Sequence, residues 1–180
     1  MDTGWTIVVP FFNEERFIGA TLRSLAAQTL RPRRIVLVDN ASNDASVAVA
    51  HDALASAFDV EVVWQHEPRP GQVHALACGL SAVNSAFVAI CDADTIYPPH
   101  YLQAAQRVFD RGGPVVVAVL AAGIAAPVHG LRARLKRLKT LLVGRLLAAQ
   151  CHAGGYGHCF RTVALRDAGG YGAHHWPFVL

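Results

Sequence analysis

Short apolar runs alternate along the chain with segments whose apolar residues recur at helical spacing. Thr6 to Pro10 is an apolar run and reads as a strand. From Asn13 to about Gln28, the residues Ile18, Leu22, Leu25 and Ala26 share one helical face, and Asn13 can cap that helix. Pro32 closes the region. Arg34 to Asp39 contains Ile-Val-Leu-Val and reads as a buried strand. Ser42 or Asn43 can cap the next helix, whose inward residues are Val47, Ala50, Leu54 and Phe58. Val60 to Trp64 is a third strand. Gly71 to Asn84 is a helix with Val73, Leu76, Ala77, Leu80 and Val83 on its buried side. Phe87 to Cys91 is a fourth strand ending at Asp92. Pro98 and Pro99 suit the first turn of a helix that reaches about Asp110. Val115 to Leu120 reads as a fifth strand, Leu131 to Gln150 as a basic amphipathic helix, and Thr162 to Ala168 as a short helix.

Strands separated by helices predict an α/β fold: a Rossmann-like, mostly parallel sheet with helices on both faces and right-handed crossovers. Ligands of such sheets sit beyond the carboxyl ends of the strands. That rule directs attention to the residues that follow each apolar run. Strand one delivers Pro10 to Glu15, including Phe12, Asn13 and Glu14. Strand two delivers Asp39, Asn40, Ser42 and Asp44, and strand four delivers Asp92, Ala93, Asp94 and Thr95. Carboxylates gathered on one edge repel one another, and a divalent cation removes that cost. Residues two apart in an extended segment point the same way, so Asp92 and Asp94 face the ligand together while Ala93 packs behind. Mg²⁺ or Mn²⁺ held by one or two carboxylates keeps places for water and phosphates, and a nucleoside diphosphate is the natural further ligand. The plainer alternative is that Asp92 and Asp94 only terminate a strand.

The length of 180 residues fits one domain, and 53% hydrophobic with 16% charged residues suits strands covered on both faces rather than disorder. A net charge of +3 is too small to call for nucleic acid. Cys78, Cys91, Cys151 and Cys159 suggest no disulfide framework, and the N-terminus lacks a basic region followed by an apolar one. Both point to the cytoplasm. The longest apolar stretch, Pro114 to Val128, falls short of the ~20 residues that span a bilayer. The uncharged end, Ala173 to Leu180, is the kind of segment expected inside a domain, so the chain is expected to be a fragment.

Four ordered segments carry a resemblance: Thr6-Ile-Val-Val-Pro-Phe-Phe-Asn-Glu-Glu15, Ile35-Val-Leu-Val-Asp-Asn-Ala-Ser-Asn-Asp44, Arg69-Pro-Gly-Gln-Val-His-Ala-Leu-Ala-Cys-Gly79 and Phe87-Val-Ala-Ile-Cys-Asp-Ala-Asp94. With Gly154 to Gly172 they make the chain resemble the N-terminal, nucleotide-sugar-binding part of family-two inverting glycosyltransferases of the GT-A fold. The resemblance implies metal-dependent transfer of a sugar from a nucleotide-sugar, a UDP-sugar, to an acceptor hydroxyl with inversion, of the kind used in polysaccharide or cell-envelope synthesis. It implies a nucleotide-binding half, 1–112, and an incomplete acceptor-side half, 113–180. Asp39 would contact the uracil, and Pro10, Phe12, Asn13 and Glu14 would line the nucleoside pocket. Arg69 would lie near the base or diphosphate, with Asn40 and Gln72 in the same donor site. Asp92 would approach the ribose or metal beside Ala93, and Asp94 would bind the metal.

Three positions depart from the family pattern. Asn40 stands where a second acid is frequent, and Gln72 and Cys78 stand where Lys and Asn are frequent. Inversion needs a base for the acceptor hydroxyl. In the family it is an acid shortly after a segment like Gly169-Gly-Tyr171, yet no acid follows Asp167. The base is therefore expected beyond Leu180; the alternative is a truncated, non-catalytic module that binds nucleotide or docks on a membrane. Asp167 itself is expected on the solvent side of its short helix.

Leu131, Leu135, Leu138, Leu142 and Leu146 form a stripe, and six of the sixteen Lys and Arg residues fall between Arg132 and Arg145. Such a helix suits peripheral contact with the inner face of the plasma membrane, where a lipid-linked acceptor would lie; it equally suits packing on the sheet. The acceptor, saccharide, lipid-linked or protein, is not specified. Cys151-His152 and His158-Cys159 lack the CxxC spacing of a zinc site. His174 and His175 read as surface residues or as further ligands to the Asp94 metal. A nucleotidyltransferase would want a glycine-rich basic loop after strand one, and Phe11 to Glu15 is acidic without glycine.

Overall fold

The computed structural model describes residues 2–55, 60–121 and 157–171. The elements are β1 (Asp2–Phe11), α1 (Ile18–Ala26), β2 (Arg34–Asp39), α2 (Ser46–Leu54), β3 (Glu61–His66), α3 (Gln72–Ser81) and β4 (Ser85–Ile90). They continue with α4 (Tyr101–Gly112), a 3₁₀ turn (Gly113–Val115), β5 (Ala118–Leu120), β6 (His158–Arg161) and α5 (Thr162–Asp167).

The six strands form one sheet in the order β3-β2-β1-β4-β6-β5. β1 to β4 run parallel, as their alternation with helices requires. β6 enters antiparallel between β4 and β5, pairing Ala89 with Cys159 and Val119 with Cys159. The apolar pattern did not announce β6, because His-Cys-Phe-Arg is too short to show a period. The fifth strand also starts later than expected, at Ala118, since Gly113 to Val115 turn as a 3₁₀ helix.

Strand alternation sorts the core into two layers. Trp5, Ile7, Val9 and Phe11 of β1 join Ile35, Leu37, Phe87 and Ala89 beneath α1, α2 and α4. Val8, Val36, Val38, Val88 and Ile90 face the other way, onto Ala75, Leu76 and Leu80 of α3. Trp5 stacks on Phe87 with ring centroids 5.1 Å apart. Gly79 lets α3 sit close to the sheet: a Cβ there would fall 2.5 Å from Val8 Cγ1 and 2.9 Å from Val38 Cγ2.

Several local expectations are corrected. Asn13 does not cap α1, which begins only at Ile18 with Phe17 at its cap. Ser42 and Asn43 do not cap α2; the Asp44 carboxylate accepts the Ser46 N–H at 2.9 Å instead. Pro98 and Pro99 lie ahead of α4 rather than in its first turn. Val73 and Ala77 are half-buried, because α3 turns Ala75, Leu76, Gly79 and Leu80 to the sheet. The third strand runs on to His66 rather than ending at Trp64, which is half-buried on this edge strand with its ring centroid 3.7 Å from that of His51. Phe58, the Leu131–Gln150 stripe, Cys151-His152 and His174-His175 lie outside the described residues. Among the described residues no helix is long and apolar enough to cross a membrane.

Candidate functional site: the carboxyl edge of the sheet

β1, β2 and β4 end side by side, with Phe11 in register with Asp39 and Val8 with Ile90. The loops that follow therefore share one edge. Those after β1 and β2 are laced together across about thirty residues of sequence. The Asn13 N–H donates to Ser42 Oγ (3.1 Å), and the Asn43 N–H returns to Asn13 Oδ1 (2.9 Å). The Glu14 N–H donates to Ser46 Oγ (2.7 Å). The Glu15 N–H meets Asp44 Oδ2 (3.2 Å), and the Ala45 N–H meets Glu15 Oε2 (3.0 Å). Asn13 takes a φ of 55° and Ala41 a φ of 63° to make these turns. Side chains that could have capped helices are spent on this lacing.

The Asp-Ala-Asp segment is held from behind. The Cys91 N–H completes the sheet at Val8 O (2.9 Å). Ala93 is buried, and its carbonyl accepts the Thr21 hydroxyl at 2.8 Å. The Asp92 N–H donates to the Tyr97 phenol oxygen at 2.8 Å. Burial, then the Asp94 charge, pushes the Asp92 carboxyl up to about 6. Glu14 is also raised, by burial, by Asp94 and by Asp44. These carboxylates are close enough to oppose one another's ionisation.

A cleft of about 690 Å³ opens at this edge. Pro10, Phe11, Phe12 and Glu14 line it from the end of β1 and the loop after it; Asn40, Ala41 and Asn43 from the loop after β2; Pro70, Gly71, Gln72 and Ala75 from the start of α3 and the residues before it; and Asp92, Ala93 and Asp94 from the loop after β4. Of the residues expected from sequence, Pro10, Phe12, Glu14, Asn40, Gln72, Asp92, Ala93 and Asp94 thus meet in one place. Asn13, Asp39 and Arg69 stand beside the cleft without lining it. The Asp39 carboxylate accepts the Ser42 N–H (2.9 Å) and pairs with His66 Nδ1 (3.1 Å). Arg69 is locked onto the buried Glu67, its Nε 2.8 Å from Oε1. That pairing and the Arg69 N–H draw the Glu67 carboxyl down to about 2. Sequence reasoning missed Tyr97, Glu67 and the Pro70-Gly71 wall. Gly71, with a φ of 123° just before α3, was the one readable signal among them.

The donor set fits a hard divalent cation. Among the described residues no group of three or more His, Cys, Asp or Glu forms a complete cage. Asp92 and Asp94 are two carboxylates at the cleft, and Mg²⁺ or Mn²⁺ in general needs only one or two when phosphates complete its shell.

A family model described as glycosyl transferase family 2 matches residues 6–166. The chain belongs to glycosyl transferase family 2. An uncharacterised glycosyltransferase of Mycobacterium bovis is 35% identical over 128 residues, which cover 70% of this chain and 50% of that protein. Among solved structures, a mannosyltransferase from Pyrobaculum calidifontis in complex with GDP-Man and Mn²⁺ superposes with a TM-score of 0.77 at 24% identity, covering 94% of this chain and 48% of that one. Glucosyl-3-phosphoglycerate synthase from Mycobacterium tuberculosis, with Mn²⁺, UDP and phosphoglyceric acid, gives 0.64 at 21% identity, covering 94% and 61%. These likenesses establish the GT-A fold. The family 2 chain described here spans about half the length of the curated relative.

Proposed function

We infer that this family 2 chain is the donor-binding part of a metal-dependent glycosyltransferase. It would pass a sugar from a nucleotide-sugar, a UDP-sugar, to an acceptor hydroxyl with inversion. The observation that carries this reading is the meeting of Asp92 and Asp94 at an open cleft on the carboxyl edge of the sheet. The Mn²⁺ and nucleotide of the two solved relatives support it; since one holds GDP-Man and the other UDP, the choice of uracil rests on the sequence resemblance.

Asp94 and Asp92 would hold the ion, and the chemistry it would supply is neutralisation of diphosphate charge. Pro10 and Phe12 present an apolar wall to the nucleoside. Asp39, at the end of β2, reads the base from beside the cleft, and Arg69 lies on the same side. The base that takes the acceptor proton is assigned to a segment outside the described residues. A cytoplasmic location, with the basic Leu131–Gln150 segment on the inner membrane face, belongs to this reading and rests on sequence alone.

A thermal-shift panel of nucleoside diphosphates and UDP-sugars, with and without Mn²⁺, tests the reading. Ligands that bind only the folded state raise the Tm. UDP with Mn²⁺ is expected to raise it by several degrees, more than either alone. A panel in which no nucleotide shifts the Tm contradicts the reading.

A further inference from the structure

Asn40 follows β2 directly and is buried at 6% exposure. Its backbone N–H donates to Phe11 O at 2.9 Å, which ties it to β1. Its side chain points across to the segment that leads into α3. Nδ2 donates to Glu67 O (2.8 Å) and to Arg69 O (2.7 Å), and Oδ1 accepts the Gly71 N–H (2.9 Å). The orientation of the amide follows from its partners. Carbonyls only accept and a backbone N–H only donates, so the nitrogen must face the first two and the oxygen the third.

Both amide protons are therefore committed, and what they hold is one wall of the cleft. Glu67 fastens the same segment from within, accepting the Arg69 N–H at 3.0 Å and the guanidinium at 2.8 and 2.9 Å. The segment ends at Gly71, and Pro70, Gly71 and Gln72 line the cleft. No other side chain of this size presents two donors and an acceptor in that arrangement. Aspartate matches the shape but, when ionised, has no proton to give. It would turn negative oxygen toward two carbonyls in a buried place, leaving both without donors.

We propose that, with a nucleotide bound in the cleft as read above, Asn40 is a positioning residue. It sets the Pro70–Gln72 wall through its amide and acts on the donor through that wall rather than by its own contact.

Asn40→Asp separates positioning from direct contact. A direct contact through the side-chain oxygen survives in the isostere, because a carboxylate still accepts from a ribose hydroxyl. Positioning does not survive. Calorimetry of UDP with Mn²⁺, run well below the Tm of each variant, is expected to show at least roughly tenfold weaker binding for N40D, because the Pro70–Gln72 wall is no longer held in the shape that meets the nucleotide. Wild-type or tighter affinity in folded N40D overturns the proposal. A second measurement needs no variant. In the ¹⁵N spectrum of the wild-type chain, the Asn40 side-chain NH₂ is expected to exchange slowly before ligand is added and to stay protected with UDP and Mg²⁺. Free exchange in the unliganded protein overturns the proposal even if N40D does not fold. Failure of the wild type to bind UDP would instead count against the donor-site reading and leave the protection result to stand or fall by itself.

Discussion

The Tyr97 phenol oxygen accepts the backbone N–H of Asp92 at 2.8 Å, so an aromatic ring five residues downstream fixes the acidic pair from behind. Tyr97 is buried at 4% exposure and packs against Tyr101 with ring centroids 4.9 Å apart. Its own backbone N–H donates to Ser24 Oγ at 3.1 Å, which anchors the loop to α1.

Tyr97→Phe keeps the ring and removes the acceptor. The loss is expected to cost about 1 kcal/mol, the usual worth of one such bond. For a chain of this size that is a fall in Tm of roughly 2–4 °C by differential scanning calorimetry. UDP affinity with Mn²⁺ should weaken as well, because the Asp92 backbone is no longer fixed. An unchanged Tm and affinity would show that the phenol is a bystander.

Ala41 stands at a φ of 63°, a conformation that costs an L-residue with a Cβ roughly 1–2 kcal/mol. Ala41→Gly relieves that strain but adds freedom to the unfolded chain, so the net gain expected is about 1 kcal/mol. The melting temperature should rise by roughly 2–4 °C. A lower Tm in A41G would mean that the Ala41 methyl contributes packing that outweighs the strain.

Glu67 gives a pH dependence with a definite direction. Its carboxyl is drawn from an ordinary 4.5 down to about 2 by the Arg69 side chain and N–H. The unfolded chain binds this proton first as pH falls, so the stabilisation is complete above about 4.5 and drains away as pH drops toward 2. Glu67→Gln lacks that contribution. Wild type should melt higher than E67Q at neutral pH, and the gap should narrow steadily below pH ~4.5. A gap that stays constant through the acid range contradicts the assignment.

Much of this site was legible in the chain before any coordinates. Apolar runs ending in Asp39 and Asp92 are what parallel strands look like, and parallel strands bring their carboxyl ends to one edge. Asp92 and Asp94 both line the cleft with buried Ala93 between them, but β4 ends at Ile90 and a turn at Ala93 and Asp94, rather than strand alternation, brings them there. Other parts depended on partners distant in sequence. Asn13 fits the composition of a helix cap, yet Asn43 thirty residues later claims its oxygen. Asp39 was placed correctly at a strand end, but Ser42 and His66 decide where its carboxylate is bound. β6 becomes a strand only by pairing with β4 and β5; alone, its four residues show no pattern. Tyr97 left no trace, since a single aromatic after Asp-Thr-Ile reads as ordinary core.

The central claim, that the Asp92–Asp94 pair holds a divalent ion against the phosphates of a nucleotide, is tested most directly by titrating UDP into wild type and Asp94→Ala by calorimetry. The titrations belong at pH 7.5 to 8, above the value of about 6 to which burial and the Asp94 charge raise Asp92, so that the Asp92 carboxyl is charged. Wild type should bind UDP with Mn²⁺ roughly ten- to a hundred-and-fifty-fold more tightly than without it, as one charge-assisted contact of about 1.5–3 kcal/mol implies. In D94A that Mn²⁺ dependence should vanish while circular dichroism stays unchanged. UDP binding in folded D94A that Mn²⁺ still strengthens as in wild type would contradict the account.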